Sequence, residues 1–128
     1  MKRFGGFSDH AYALMRIMAG FMFSLHGVQK ILGILTDHQP AMGSQIWFGG
    51  LIELVCGLLI MLGFQTRIAA FLASGTMAVA YIQFHWKLQL GAQFLPVVNK
   101  GELAALYCFV FLYIASRGGV KWRLDKKS

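Results

Sequence analysis

The side chains with the most chemical potential in this sequence are polar and ionisable groups embedded in apolar segments. His26, Gln29, Lys30 and Gly33 stand at i, i+3, i+4 and i+7, a spacing that puts them on one face of a helix. Glu53 is embedded in the next apolar segment. An ionisable group at the centre of a bilayer costs roughly 2.5 kcal/mol or more unless it pairs, reaches the interface or faces water. We therefore take His26, Gln29, Lys30 and Glu53 as the candidate intramembrane polar site.

The expected depths of these groups are compatible with direct contact. If the first helix reaches its outer end at Ile34, Lys30 lies about 6 Å and His26 about 12 Å below that end, at a rise of about 1.5 Å per residue. If the second helix begins at Ile46, Glu53 lies about 10 Å below its start. Glu53 then falls between His26 and Lys30 in depth, and the sequence predicts a Lys30–Glu53 pair with His26 nearby.

Two interpretations of this pair are open. It is either an ion pair that locks the first two helices in register, or part of a site that binds a ligand or exchanges protons. His26 favours the second interpretation, because an imidazole exchanges protons near neutral pH.

Further polar groups gather toward the same end of the predicted helices. His85 lies at the end of the third apolar segment, and Asn99 and Glu102 lie at the start of the fourth. These three are secondary site candidates, although an interfacial position is the simpler interpretation of His85 and Glu102. Arg16 is predicted to be an anchor whose long side chain reaches the cytoplasmic interface.

The composition of the chain is typical of a membrane protein. Of its 128 residues, 57% are hydrophobic and only 13% are charged, and the mean hydropathy is +0.59. Since charged residues supply about a quarter of an ordinary soluble chain, these values indicate a bilayer as the solvent. The net charge of +7 is concentrated at the ends of the apolar segments, which suits lipid headgroups, while the aromatic residues lie inside them. This distribution argues against a nucleic-acid partner.

Four segments are long enough to cross the hydrocarbon core, which takes about 17 to 25 residues. They are predicted at about 10–35, 45–62, 67–86 and 101–117, with Ser8 or Asp9 capping the first helix. The sequence therefore predicts a single all-α domain over residues 1–128, folded as an antiparallel bundle of four transmembrane helices.

Basic residues at the helix ends set the predicted orientation. One end of the predicted bundle carries Lys2, Arg3, Arg16, Arg67, Arg117, Lys121, Arg123, Lys126 and Lys127. The opposite end carries Lys30, Lys87 and Lys100. Because Lys and Arg are enriched in cytoplasmic flanks, both termini are predicted to lie on the cytoplasmic side.

Small residues recur where the predicted helices would touch. Gly49, Glu53 and Gly57 are four residues apart, so the carboxylate lies on a glycine-lined face of the second helix. The small residues at the predicted contacts are Gly20, Ser24 and Gly27 in the first helix, Gly49, Gly50 and Gly57 in the second, and Ala70, Ser74 and Ala78 in the third. Since lipid offers no hydrophobic drive for helix association, such residues predict close backbone approach.

Several of these residues recur in a fixed order that extends from about Arg16 to Gly119. The order is Arg16, Gly20, Gly27-x-x-Lys30, Glu53-x-x-x-Gly57, Leu62-Gly63-x-x-Thr66-Arg67 and Asn99-x-x-Glu102. It resembles the DoxX family of small bacterial and archaeal membrane proteins. The resemblance maps the family positions onto Gly27, Lys30, Glu53, Gly57, Arg67, Asn99 and Glu102.

The resemblance implies a four-helix protein of the prokaryotic inner membrane. Name-giving members of the family are associated with thiosulfate:quinone oxidoreductase, and others with membrane-bound redox or oxidative-stress complexes. This chain shows no recognisable haem, flavin or iron–sulfur ligation, and its free-standing Cys56 and Cys108 lack metal-ligand spacing. No metal and no intrinsic cofactor are therefore predicted, and the chain is not a complete oxidoreductase by itself.

The leading hypothesis is a small accessory subunit of a membrane redox complex. In it, His26, Lys30 and Glu53 contribute to a quinone-type or small-molecule pocket in the outer half of the bilayer. The alternative is a structural or assembly component whose polar cluster only locks the helices. A carrier of small solutes or protons is less favoured, because the sequence shows no inverted repeat and no proline-broken helix pair. The expected partners are membrane lipids and other membrane subunits or further copies of the chain.

Overall fold

The computed structural model describes residues 2–126, with side chains from residue 6 onwards, and this part of the chain contains helices and no strand. The all-α prediction is thereby confirmed. Lys127 and the side chains of Lys2 and Arg3, which belong to the predicted cytoplasmic set, lie outside the described residues. The helices are α1 (Lys2–Leu32), α2 (Gln45–Leu62), α3 (Thr66–Ala80), α4 (Pro96–Asn99, a single turn) and α5 (Glu102–Arg117). A π-helical turn, Tyr81–Trp86, continues α3, and a 3-10 turn, Gly91–Phe94, precedes α4.

The first helix differs from its prediction at both ends. It begins at Lys2, so Ser8 and Asp9 lie within the helix and do not cap it. It ends at Leu32 because Gly33 adopts a left-handed conformation (φ 68°). Gln39 then folds back and its amide donates to the carbonyl oxygen of Ile31 at 2.9 Å, which satisfies part of the helix end.

The remaining long helices agree closely with prediction. The second has the predicted bounds, with Ser44 accepting from the Trp47 amide at its start and a left-handed Gly63 (φ 70°) at its end. The third begins at Thr66 and reaches Trp86 through the π-helical turn. The fourth predicted helix is α5, which begins at Glu102.

Three helical stretches have the length and apolar composition needed to cross a membrane. They are Gly6–Leu32, Gln45–Leu62 and Thr66–Trp86. The last long helix, α5, has 16 residues and at about 1.5 Å per residue is shorter than the roughly 30 Å hydrocarbon core.

The helices pack as two pairs, α1 with α2 and α3 with α5, and the pairs meet chiefly through α2 and α3. Glycines bring the first pair together at backbone distance. A Cβ built on Gly57 would lie 2.6 Å from the Ser24 nitrogen, and one on Gly20 would lie 2.6 Å from the Met61 nitrogen. Gly27 faces the Leu54 backbone in the same way. This contact confirms the predicted close approach.

The second pair is joined by polar contacts to backbone. Ser74 in α3 donates to the Cys108 carbonyl of α5 at 2.7 Å. Arg67 donates to the Ala115, Ser116 and Arg117 carbonyls and so caps the carboxyl end of α5. The core between the pairs is filled by fully buried apolar residues: Phe23, Ile60, Ala70, Phe111 and Ile114.

A buried arginine near the middle of α1 holds the C-terminal segment, the residues after α5, against that helix. The Arg16 guanidinium donates to the carbonyl oxygens of Gly119 (2.6 Å), Lys121 (2.9 Å) and Trp122 (2.8 Å). Its side chain is fully buried. The prediction that Arg16 extends to the interface as an anchor is therefore wrong, because the chain after α5 returns over it and provides the acceptors.

The same C-terminal segment caps α3. The Asp125 carboxylate accepts from the Gln65 amide (2.8 Å) and from the Thr66 amide (3.0 Å) and hydroxyl (2.7 Å). Desolvation raises the pKa of Asp125, but the hydrogen bonds from Thr66 and Gln65 outweigh it, so that pKa lies below its ordinary value. The N-terminal half of α1, the α2–α3 turn and the C-terminal segment thus lie together.

Replacing Gly57 with Ala is expected to destabilise the protein by about 1 to 3 kcal/mol, because the added methyl group meets the backbone of α1. The measurement is thermal unfolding of the purified protein in mild detergent. Gly49→Ala is the matched control in the same helix, since its Cβ would meet no atom within 4 Å. Equal melting temperatures for the two variants would contradict the close-contact assignment.

Replacing Asp125 with Asn is expected to cost about 1 kcal/mol at neutral pH, the usual worth of a helix cap. The folded carboxyl has the lower pKa, so its contribution is complete above the unfolded value of about 3.9 and disappears as the pH falls through the folded value. The difference in stability between wild type and variant should therefore shrink as the pH is lowered below about 4. A difference that stays constant from pH 7 to pH 3 would show that the charge is not responsible.

Candidate functional site

The predicted pair between α1 and α2 is present. The Lys30 ammonium nitrogen lies 2.6 Å from Glu53 Oε1. The Glu53 side chain is 4% exposed and that of Lys30 is 31% exposed, so the carboxylate is buried and the ammonium is partly open. Gly50, one turn before Glu53, allows the stem of Lys30 to lie directly against α2. Of the predicted contact glycines Gly49, Gly50 and Gly57, Gly50 and Gly57 contact α1, whereas a Cβ on Gly49 would meet no atom within 4 Å.

A large cavity adjoins this pair. Its volume is about 870 Å³. It is lined by residues of α1, α2, α3 with its π-helical turn and α5, and by Lys100. Most of the lining is apolar, contributed by residues such as Ile52, Leu72 and Leu103. The polar or ionisable groups in the lining are His26, Lys30, Gln45, Glu53, Thr76, His85, Lys100 and Tyr107. Such a cavity, mostly apolar with a few convergent polar groups, has the character of a small-molecule site.

Tyr107 is the member of this set that sequence reasoning missed. It is 5% exposed, and its ring stacks on Phe111 at a centroid distance of 5.2 Å and meets Phe23 edge-on at 5.5 Å. Its hydroxyl oxygen is buried without a hydrogen-bond partner. A tyrosine within an aromatic-rich apolar helix resembles a core residue in the sequence, and no signal there indicates that its hydroxyl will be unpaired.

The two histidines of the sequence analysis both line the cavity. His26 is half-buried, and its ring meets that of Tyr107 edge-on at 6.4 Å. His85, on the π-helical turn, has Nδ1 at 3.3 Å from the Asn99 carbonyl oxygen, which fixes the ring against the α4 turn. The structure therefore brings His26, Lys30, Glu53 and His85 around one space.

Three other candidates lie elsewhere. The Gln29 amide donates to the Leu35 carbonyl at 2.8 Å and stabilises the turn after α1. Asn99 organises the connection before α5 by donating to the Tyr81 hydroxyl (3.0 Å) and the Gln93 carbonyl (2.8 Å). Glu102 is exposed in the first turn of α5. None of the three is among the residues that line the cavity.

Nitrogen, sulfur and oxygen ligands do not cluster in the described residues: no group of three His, Cys, Asp or Glu side chains is placed to hold a metal ion. The two cysteines of residues 2–126 are free thiols, Cys56 buried in α2 and Cys108 half-buried in α5. The chemistry available to the cavity from these residues is hydrogen bonding and proton exchange.

The seam between α2 and α3 gives the cavity an apolar opening. Phe48 on α2 and Phe71 on α3 line the cavity and are 52% and 65% exposed. Gly49 and Gly75 also line it, and a Cβ on either would meet no atom within 4 Å. At the end of the seam away from the α2–α3 turn, the Gln45 and Gln83 amides exchange hydrogen bonds of 2.6 and 3.3 Å.

Comparisons with known proteins agree with the resemblance noted above. Residues 11–86 match the family model described as DoxX. A Haemophilus influenzae protein described as "Uncharacterized protein" is 40% identical over 119 residues, which is 90% of this chain and 88% of that protein. No solved structure matches the chain significantly.

Removing one partner of the buried pair is expected to destabilise the fold more than removing both. Lys30→Met should cost about 3 kcal/mol because it leaves the buried Glu53 carboxylate unpaired, whereas the double change Lys30→Met with Glu53→Met should recover most of that loss. Thermal unfolding in detergent measures both. Asp9→Asn, which breaks the more exposed 3.1 Å pair with Arg117, serves as control and should cost under about 1 kcal/mol. A double variant no more stable than the single one would contradict this account.

Proposed function

Because the chain belongs to the DoxX family of membrane proteins, we propose that it is a small integral membrane subunit of a redox complex and holds a quinone-type molecule in the cavity between α2 and α3. The observation that carries this proposal is the cavity itself. Its volume of about 870 Å³ falls within the roughly 300–1,000 Å³ of small-molecule sites. An ion pair that served only to lock two helices would need no such space beside it.

The distribution of polar and apolar groups supports a ligand with a polar ring and an apolar tail. Lys30, His26 and Tyr107 offer hydrogen bonds at the part of the cavity next to Glu53. The α2–α3 seam offers exposed apolar side chains that would face lipid tails in a membrane. A lipophilic molecule enters such a site from the bilayer, with its ring inside and its tail along the seam.

Electron transfer in this proposal requires a partner. Reduction of a quinone takes two electrons and two protons. This chain provides groups that exchange protons, His26 and Glu53, and the electrons come from a redox subunit bound to it. The candidate partners are such subunits, further copies of this chain and the surrounding lipids.

The membrane arrangement is part of the same proposal. All four long helices cross a prokaryotic inner membrane, α5 with the help of its flanking residues, and both termini are cytoplasmic. Two observations support this arrangement. The N-terminal half of α1, the α2–α3 turn and the C-terminal segment lie together, joined by Arg16 and Asp125. Basic residues of the helix ends, including Arg67 and Arg117, lie in the same region, as the enrichment of Lys and Arg in cytoplasmic flanks requires.

A structural or assembly role is the second candidate, and the Lys30–Glu53 contact favours it. A buried ion pair fixes helix register whether or not a ligand is present. The two functions differ in one observable property, which is whether the purified protein retains a lipophilic molecule.

Filling the α2–α3 seam is expected to weaken the binding of a lipophilic quinone without unfolding the protein. Gly75→Phe adds a ring where no atom lies within 4 Å of the Cβ position, so it occupies the cavity and should lower the affinity for a decyl-substituted benzoquinone by roughly tenfold or more. The affinity is measured by quenching of tryptophan fluorescence in detergent. Gly6→Phe is the matched control, because Gly6 also has open space but does not line the cavity.

Copurification gives the complementary test. Wild-type protein isolated in mild detergent should carry a quinone or redox subunits, and Glu53→Gln should reduce that association. The proposal fails if the wild type retains neither and binds no added benzoquinone. Retention that is equal in the Gly75→Phe and Gly6→Phe variants would place the ligand outside the α2–α3 cavity.

A further inference from the structure

The unpaired hydroxyl of Tyr107 is an exception among the tyrosines of this fold. The Tyr12 hydroxyl donates to the Gly118 carbonyl at 2.7 Å. The Tyr81 hydroxyl donates to the Phe94 carbonyl and accepts from Asn99. Tyr107 is as buried as Tyr12, yet its hydroxyl contacts no acceptor or donor. Leaving a buried hydroxyl unpaired is unfavourable, so this group calls for a partner that the chain itself does not provide.

Packing does not require the hydroxyl. The Tyr107 ring is held by Phe23 and Phe111, contacts that a phenylalanine would make equally well. The other buried atom without a partner in the described residues, Arg16 Nε, belongs to a guanidinium whose remaining nitrogens bind three carbonyls and does not line the cavity. Tyr107 does line the cavity. Its hydroxyl is thus a buried polar group whose missing partner belongs in that space.

We infer that the Tyr107 hydroxyl donates a hydrogen bond to an acceptor oxygen on the head of the molecule bound in the cavity, and that this head is a neutral carbonyl. The inference rests on the proposed function and assigns a ligand-binding residue within it. Tyr107 is then a binding residue on α5, opposite the Lys30–Glu53 pair that α1 and α2 bring to the same cavity.

The groups around Tyr107 determine the chemistry of that head. Lys30 and Lys100 are donors and His26 has a ring N–H, whereas the Nδ1–H of His85 is directed at the Asn99 carbonyl. Glu53 is the acceptor among the ionisable groups of the lining, and it already binds Lys30. A head rich in acceptor oxygens therefore complements the site. A neutral carbonyl fits better than a carboxylate or phosphate, because the charge of Lys30 is already balanced by Glu53 and the other lysine of the lining, Lys100, is exposed.

The apolar remainder of the ligand follows from the opening of the cavity. Gly49 and Gly75 leave space on the two sides of the α2–α3 seam, and Phe71 and Leu72 provide its exposed apolar wall. The ligand class is therefore a lipophilic carbonyl compound whose ring lies against Tyr107 and whose alkyl or isoprenoid tail leaves between α2 and α3.

The test compares Tyr107→Phe with Tyr12→Phe in the full-length protein in detergent, with a decyl-substituted benzoquinone as the probe. Tyr107→Phe should raise the dissociation constant roughly tenfold, the loss of about one hydrogen bond. Its ligand-free melting temperature should stay equal or rise, because a buried unpaired hydroxyl is removed. Tyr12→Phe should behave in the opposite way, with a lower melting temperature because the bond to Gly118 is lost, and unchanged affinity.

Two further probes separate the classes of head. Decylbenzene, which has no acceptor oxygen, should bind wild type and Tyr107→Phe equally and more weakly than the quinone. Myristate should also bind more weakly than the quinone, and tighter binding of myristate would overturn the assignment of a neutral head. Quinone binding that is equal in wild type and Tyr107→Phe would overturn the role of Tyr107 and leave the proposed function intact. A wild-type protein that binds no quinone would overturn both.

Discussion

The contact on which this structure depends is the backbone approach of α1 and α2 along Gly20, Gly27 and Gly57. In a membrane, lipid tails are as apolar as the helix surfaces, so helices associate through close van der Waals contact and polar bonds. Glycine permits that contact, and it has a second consequence. Once the two backbones touch, Lys30 and Glu53 are close enough for a 2.6 Å ion pair, which neutralises a carboxylate that would otherwise be costly to bury. The same α1–α2 contact therefore provides both the packing of the helices and the compensation of the buried charge.

The position of the cavity follows from how the two helix pairs are joined. At one end, Arg16 holds the C-terminal segment by three carbonyls, and Asp125 in that segment caps α3 after the short α2–α3 turn. Between that end and the cavity, the two helix pairs share a core of Phe23, Ile60 and Phe111. Toward the other end, α2 and α3 are linked across the seam by the Gln45–Gln83 amides, with the cavity behind them. The end held by Arg16 and Asp125 is closed, and the α2–α3 seam is open. A ligand can therefore occupy the cavity without disturbing the core.

Features of the fold that depend on neighbouring residues could be predicted from the sequence, whereas contacts between distant residues could not. Composition and segment length were sufficient for an all-helical membrane protein, and rise per residue was sufficient to place Glu53 at the depth of Lys30. Helix periodicity gave a face, but it could not decide between adjacent residues: Gly50 contacts Lys30, whereas Gly49 faces the cavity. Arg16 was misassigned because its acceptors lie more than a hundred residues away in the chain. Asn99 and Glu102 do not line the cavity, because nearness to one end of a helix does not fix the direction of a side chain.

The lock and the ligand site, treated as alternatives for Lys30 and Glu53, are physically dependent on each other. An unpaired carboxylate in a largely apolar cavity would be costly to bury and would hold water, which would compete with a lipophilic head. Paired with Lys30, Glu53 keeps its charge compensated at 3% exposure, while the partly exposed ammonium retains N–H groups beyond the one that it donates. The ion pair thus prepares the polar part of the cavity, and Tyr107 adds a donor from the other helix pair. In the site that we propose, ligand binding requires both helix pairs to be in register, so the α1–α2 ion pair is a precondition of the proposed binding.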